Sequence, residues 1–450
     1  MSTTPASPPV PPAAPTPVSG ASPRPRGRLL TLPVVSWVFY DFANTIFSYV
    51  VLTRYFNDWV IIERGRPDYY IGVMAVCVSL VLVVTLPFFG ALSDRLGRHK
   101  PFLVAFTLVS VSATAVLGLV DAVVPALVVA GIAIFAFNSA EAQYHPLLAA
   151  VAAPEKRSRV SGLGVGAGYV GVLLALGILG AIVSDGHNQQ AFLPAALLFL
   201  VFGLPCLLFV RDSSPRAKST NAGAGLGGIA ALPGQALRQL RVSVREARGQ
   251  PWGRFLLARF LYVDAIATVI AFMTVYARRT GDFTGGEISV LLAIATVAAI
   301  GGAVAAGMLV ERVGPKRVVE ATLFGVVITL LVTGLSGAGF LLWVAGPLVG
   351  AALGSVSASD RIYLMRLVPP GRRGEDFGLY ALVGKVSNGF GPLVLWSGTI
   401  ALFSQVLDVT GRFGASRIAI CVLACTALAG ALILRSLPEA VEPDGIAGAA

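Results

Sequence analysis

Long apolar runs alternate with short polar breaks along most of the chain, at 34–60, 70–92, 101–120, 125–150, 160–183 and 191–210, and again at 252–279, 287–310, 317–336, 340–367, 376–402 and 413–435. Each is near the ~20 residues that a helix needs to cross a bilayer. Glycine and proline inside the runs are compatible with membrane helices, where neighbouring helices satisfy the freed backbone groups. The pattern predicts an all-α membrane protein of roughly twelve transmembrane helices. Residues 1–30, rich in Pro, Ala, Ser and Thr, read as a disordered tail, and no cleavable leader is expected ahead of the first run. The pattern breaks again at 212–251, a polar linker whose Leu237, Leu240 and Val244 recur at helical spacing opposite Arg238, Arg241, Arg245 and Arg248, as in a basic surface helix. It divides the chain into a bundle over 31–211 and a bundle over 252–436, with a tail at 437–450.

Two internal echoes make these bundles a duplicated pair. The polar break Gly90-Ala-Leu-Ser-Asp94-Arg95-Leu-Gly97-Arg98-His-Lys100 returns 217 positions later as Gly307-Met-Leu-Val-Glu311-Arg312-Val-Gly314-Pro-Lys-Arg. Pro154-Glu155-Lys156-Arg157, followed by Gly162 and Gly168, returns at an offset of 216 as Pro370-Gly371-Arg372-Arg373, followed by Gly378 and Gly384. The fold expected is therefore two pseudo-symmetric six-helix bundles, an arrangement of secondary transporters.

Charge sets the orientation. The chain carries a net charge of +11, but its basic residues crowd into alternate loops. Arg95, Arg98, Lys100, Lys156, Arg157, Arg159, Arg312, Lys316, Arg317, Arg372, Arg373, Arg435 and the linker arginines fall on one side, against Arg64, Arg66, Arg278, Arg279, Arg412 and Arg417 on the other. The positive-inside rule makes the termini and linker cytoplasmic, and a bacterial cell would hold the protein in its plasma (inner) membrane. The charge is topological, and no nucleic-acid partner is expected. Hydrophobic residues make up 56% and charged residues 13% of the chain, so lipid is its solvent. All four cysteines lie in apolar runs without metal-ligand spacing, so neither metal nor cofactor is expected.

Ionisable residues inside spans are costly and mark function by default. The first run carries Asp41, Asn44, Thr45 and Ser48 on one helical face, which should look into a central cavity. Asn138, Glu141 and His145 form a stripe in the fourth, Asp264 and Thr268 pair in the seventh, Ser357, Asp360 and Arg361 lie in the tenth, and Lys385 and Asn388 in the eleventh. Glu141 or Asp41 is expected to face Arg361 or Lys385, and a carboxylate buried there suits proton exchange. For Lys385 and Asp360 a structural ion pair is the alternative, and for His145 a satisfied hydrogen-bonding role rather than a relay. In the polar breaks, Gly90 is expected to admit a close neighbour and Asp94 to make charge-assisted bonds.

The Gly90–Lys100 run resembles the loop between helices two and three of the major facilitator superfamily, and the Gly307–Gly314 run its second-half counterpart. More narrowly, Tyr40-Asp41-Phe42-Ala43-Asn44, Arg159-Val-Ser-Gly162 with Gly168-Tyr169, Leu261-Tyr262-x-Asp264, and Phe377-Gly378-Leu379-Tyr380 with Lys385 and Gly391-Pro392 resemble the vacuole-effluxer-like branch, named for a yeast vacuolar amino-acid exporter linked to autophagy. The resemblance implies that spans one, four, seven and ten line the cavity, and that Gly90, Asp94, Arg95, Gly97, Arg98, Lys100, Gly307, Glu311, Arg312 and Gly314 form a cytoplasmic gate, closed when the site faces outward. This chain has Val263 and Ala265 beside the seventh-span aspartate where that branch has Asn and Gly, His145 in place of Asn, and Ser357 in place of Gln.

The expected function is secondary active transport of a small polar solute, an amino acid among the candidates, coupled to protons, by a monomer. A multidrug exporter of the same fold is the alternative, and a non-transporting sensor a more distant one. No HExxH, GxSxG or GxxxxGK[ST] motif is present, so an enzyme or an ATP-driven pump is not expected.

Overall fold

The computed structural model describes residues 30–153, 156–212, 245–247, 249–280, 283–368 and 373–439, leaving aside the side chains at 94, 158, 373–379 and 381. The tail at 1–29, most of the linker, the Pro154-Glu155 and Pro370-Arg372 echoes and the end of the chain lie outside the described residues, as does the Asp94 carboxylate.

Among the described residues, twelve helices long and apolar enough to cross a membrane follow one another: α1 Leu32–Glu63, α2 Tyr69–Ser93, α3 Lys100–Leu117, α4 Val123–Val151, α5 Arg159–Ile182, α6 Asn188–Phe209, α7 Pro251–Thr280, α8 Gly285–Val313, α9 Pro315–Ser336, α10 Gly339–Leu367, α11 Leu382–Val406 and α12 Arg412–Arg435. Their number and order agree with the apolar runs. Lipid-facing side chains such as Leu80, Leu197, Val201, Val304 and Ile328 stand exposed around the outside, while one large apolar core fills the interior.

Local chemistry sets the ends. Gly97 and Gly314 both turn at positive φ, 60° and 88°, and the helix after each carries proline in its first turn, Pro101 in α3 and Pro315 in α9. Glycine avoids the Cβ penalty at that φ, and proline gives up an N–H that a first turn leaves unpaired anyway. Thr284 and Glu287 form a reciprocal capping box at the start of α8. The two loop copies thus build matching hairpins at one end of the molecule, called here the linker end.

Small residues set the helix spacing. Side chains added at Gly302, Gly350 or Gly354 would fall on backbone of Ala351, Ala295 and Ala299, so α8 and α10 pack backbone against backbone. In the first bundle α5 presses on α1 in the same way. A Cβ on Gly171 would sit 2.5 Å from the Phe42 carbonyl oxygen, and Thr45 Oγ1 donates to the Gly168 carbonyl at 2.6 Å. Gly90 and Gly307 play no such part: nothing lies within 4 Å of a Cβ built on either. The close approach expected at Gly90 is absent in this conformation, because the helices beside both hairpins stand apart.

Stretches of π-helix interrupt α1 at Ser48–Arg54 and Trp59–Glu63 and α11 at Gly391–Gly398 and Leu402–Val406. These wider turns tend to accompany functional sites, and Ser48–Arg54 of α1 and Gly391–Gly398 of α11 border the cavity between the bundles.

Candidate functional site

A cavity of about 360 Å³ lies between the bundles. Its apolar wall includes Val51, Ile71, Val78, Phe137, Ile270 and Phe272, and its polar lining comprises Ser48, Thr53, Asn57, Ser79, Asn138, Glu141, Thr268, Lys385 and Asn388. Lys385 of α11 crosses it, donating to Asn138 Oδ1 at 2.6 Å and to Glu141 Oε2 at 2.5 Å, both on α4. The pair is part-exposed, at 28% for Lys385 and 29% for Glu141. Of the four pairings expected from the sequence, the one realised is Glu141 with Lys385. A turn further on, His145 Nε2 stands 3.9 Å from Glu141 Oε1 and is 63% exposed, where α4 loosens into the 3₁₀ turn His145–Leu147. Arg361 is also exposed, close enough to act electrostatically on Glu141 and His145.

The other intramembrane charges sit elsewhere. Asp41 does not line the cavity. Its carboxylate packs on α5, where a Cβ at Gly164 would strike it and would also approach Trp37 to 2.9 Å. Tyr144 stacks on both Trp37 and Tyr40 beside it, with centroids 4.6 and 4.7 Å apart. Asn44 is buried at 6% exposure, with no hydrogen-bond partner for its Oδ1. Only Ser48 of the polar face on α1 reaches the cavity, because the glycines of α5 let α1 turn that face onto them. Asp264 is likewise sealed away, at 0% exposure, and accepts the Gly391 N–H at 2.8 Å. A Cβ at Gly391 would lie 2.7 Å from that carboxylate, so glycine is needed where α11 enters its π-helical turn. The partner of Asp264, Thr268, does line the cavity.

Asp360 belongs to a buried knot inside the second bundle. Arg259 Nε of α7 donates to Asp360 Oδ2 at 3.0 Å, Tyr380 OH donates to Asp360 Oδ1 at 2.7 Å, and the guanidinium lies 3.6 Å over the Tyr380 ring. Arg259 was not singled out in the sequence. A basic residue inside an otherwise apolar span is the signal that marks it.

The ends of the cavity differ. At the end away from the linker, charged bonds cross between bundles. Arg278 of α7 meets Asp58 of α1 at 3.4 Å and Asp185, beyond α5, at 2.8 Å. Arg279 pairs with Asp68 at 2.5 Å, and Asp68 also accepts from Trp396 Nε1 of α11 at 2.9 Å. Below them Thr274 Oγ1 donates to the Thr53 carbonyl at 2.9 Å and Asn57 Nδ2 to the Ala271 carbonyl at 2.8 Å. Arg278 holds the Asp185 carboxyl below the usual carboxylate range. From the sequence these arginines were minor charges on the less basic side, and the cluster of ion pairs they form between the bundles was missed. At the linker end Lys100 donates from its N–H to Asp212 Oδ2 and from its Nζ to the Leu208 carbonyl within the first bundle, and Lys316 binds the Arg435 and Leu437 carbonyls within the second. Arg95, Arg98, Glu311 and Arg312 are exposed there. The molecule is closed at the far end, and the exposure of Glu141 and His145 opens its cavity toward the linker end.

Twelve spans in two bundles around one central cavity define a membrane carrier. The family model described as the Major Facilitator Superfamily matches residues 10–392, and the chain belongs to that superfamily; it is a transporter, not an enzyme. An uncharacterised MFS-type transporter of Bacillus subtilis is 26% identical over 91% of this chain and 95% of its own length. Autophagy-related protein 22-1 of Neosartorya fischeri is 27% identical over 57% of this chain and 46% of its own length, so this chain spans about half of that relative. Among solved structures, the nucleoside transporter NupG superposes with a TM-score of 0.67 at 12% identity, covering 90% of this chain and 99% of its own. The inward open xylose transporter XylE from E. coli gives 0.64 at 14%, covering 92% and 96%. Both likenesses concern the fold.

Proposed function

We propose that the protein moves a small zwitterionic solute, of the amino-acid type, across the membrane by alternating access coupled to protons, with Glu141 and Lys385 as its central pair. The observation that carries this reading is the bridge between bundles inside the cavity, where a carboxylate and an ammonium lie 2.5 Å apart with Asn138 beside them. An amino acid presents the complementary pair of charges: its ammonium meets Glu141 and its carboxylate meets Lys385, so one ion pair is replaced by two without leaving a charge unpaired. The autophagy-related relatives and the paired charges favour such a solute over the hydrophobic cations of a multidrug exporter.

Coupling follows from the same atoms. With Glu141 ionised, Lys385 is held across the cavity and ties the bundles together. A proton on Glu141 removes the ion pair and leaves Lys385 the neutral Asn138 oxygen, which weakens that tie. Solute then enters or leaves as the bundles, residues 31–211 and 252–436, rock about the cavity. His145, exposed and one turn from Glu141, lies where a proton would pass to water. The basic loops make the linker end cytoplasmic, so the conformation described here is inward-facing.

A thermal-shift screen of free amino acids on purified protein tests the reading, because a ligand of the folded state raises apparent stability. A stabilising amino acid whose effect disappears in Lys385→Met and is weakened but kept in Glu141→Gln, whose amide oxygen still accepts from the solute ammonium, supports it. A stabilising amino acid that keeps its full effect in Lys385→Met refutes it.

A further inference from the structure

We infer that the adjacent residues Arg278 and Arg279 of α7 form a two-armed latch that holds the far end of the carrier shut, with Gly285 as the seat on which Asp185 docks. The inference adds a gate to the alternating-access reading and rests on it, but it concerns residues outside the solute site.

Neighbours on a helix point about 100° apart, so two successive arginines reach two different parts of the first bundle. Arg278 spans Asp58 of α1 and Asp185 in the turn after α5, at 3.4 and 2.8 Å. Arg279 reaches Asp68 at the entrance to α2, at 2.5 Å. Both arms end on acids that other groups already orient. Asp58 also receives Arg54 at 3.3 Å and Asn188 Nδ2 at 2.8 Å, and Asp68 receives the Trp396 indole. Three acids and three arginines balance in charge, and Arg54, Asp58, Asp68 and Arg279 are nearly sealed from water, with side chains at 3%, 1%, 3% and 7% exposure.

The Asp185 arm is distinctive. Its carboxylate also accepts the Gly285 N–H at 3.1 Å, so the first bundle supplies a carboxylate to the first turn of α8 in the second. Arg54 Nη2 meanwhile donates to the Gly285 carbonyl at 3.4 Å. A side chain at position 285 would fall on the Asp185 carboxylate and within 3.1 Å of Arg54 Nη2, so only glycine lets all three meet.

Such a network suits a switch. A buried ion pair adds little net stability over water, since desolvation offsets most of the attraction, yet breaking it while it stays dry is strongly unfavourable. When the far end opens, water enters and hydrates every member at once. The latch therefore resists partial opening and tolerates complete opening. Across the cavity itself the part-exposed Lys385 bridge, with the Ser79 Oγ bond to the Lys385 carbonyl at 3.3 Å, opposes the other movement, which is consistent with the closed far end and open linker end of this structure.

The test uses the full chain in right-side-out vesicles, with Cys77, Cys206, Cys421 and Cys425 replaced and Ser48→Cys placed in the cavity wall. A membrane-impermeant maleimide is added outside. Labelling should be slow with the latch intact and rise by about tenfold in Arg279→Gln and in Gly285→Ala, the change expected when a minor open state gains that factor in population. Should Arg279→Gln fail to insert, Gly285→Ala, which alters no charge, decides the matter. Labelling within about twofold of the parent in Gly285→Ala overturns the latch. The readout needs neither solute nor pH gradient, so a wrong solute or coupling residue would not mimic that failure.

Discussion

The bridge from Lys385 to Glu141 and Asn138 makes a prediction whose size follows from its geometry. Lys385→Met removes two hydrogen bonds, of 2.6 and 2.5 Å, and leaves Glu141 facing an apolar side chain. Hydrogen bonds to charged groups contribute about 1.5–3 kcal/mol each where water is excluded. Both partners are between a quarter and a third exposed, so screening lowers the coupling of the pair to roughly 1–2 kcal/mol. That corresponds to a factor of about 5 to 30 in the balance between bridged and open states. A double-mutant cycle measures it: solute exchange and thermal stability in Lys385→Met, Glu141→Gln and the double variant. The double variant should recover most of the stability lost in Lys385→Met, because no charge is then left alone, while remaining unable to bind solute. Strictly additive stability losses, or wild-type exchange in the double variant, would refute the argument.

Further outcomes follow from other contacts. Asp360→Asn leaves Arg259 without its carboxylate in a buried site and should lower stability by about 3–5 kcal/mol; pairing it with Arg259→Met should restore much of this in a melting experiment. Gly391→Ala forces a methyl against Asp264 and Thr268, an overpacking worth about 1–3 kcal/mol, readable as a lower melting temperature. Asp94→Asn keeps shape but removes charge at the linker-end hairpin, and transport should fall while insertion survives; unchanged transport would leave that loop as topology alone. Cysteines placed at Ala222 and Gly65 should label from opposite sides of the membrane, cytoplasmic and external, and labelling from one side at both would contradict the orientation.

The spans were legible because lipid allows little else: an apolar run of the right length has to be a helix there. The two hairpins were legible as polar breaks that recur in both halves, but the work of their glycines was not: Gly97 and Gly314 supply the positive φ, while Gly90, expected to admit a close neighbour, has nothing within 4 Å of a Cβ built on it. Residue roles within spans were harder to read. The face carrying Asp41, Asn44 and Thr45 is polar in sequence, but whether it meets a cavity or a neighbouring helix depends on how closely α5 packs, and Gly164, Gly168 and Gly171 decide that from more than 120 positions away. Asp264 is another such case, because its partner is a backbone N–H of α11 that no side-chain pattern displays. The gate went unread for a related reason. Arg278 and Arg279 looked like scattered charges on the less basic side, whereas their partners Asp58, Asp68 and Asp185 come from the other bundle. Two arginines at the end of a span, where the positive-inside rule disfavours them, are the trace that pointed there.

The claim that Glu141 carries the coupling proton is tested most directly by recording internal pH and solute uptake together in proteoliposomes with an imposed pH gradient. The account predicts that the wild type accumulates solute as protons move, and that Glu141→Gln exchanges solute at equal concentrations on both sides without moving protons or accumulating it. Undiminished uphill accumulation by Glu141→Gln, with its proton flux intact, would contradict the account.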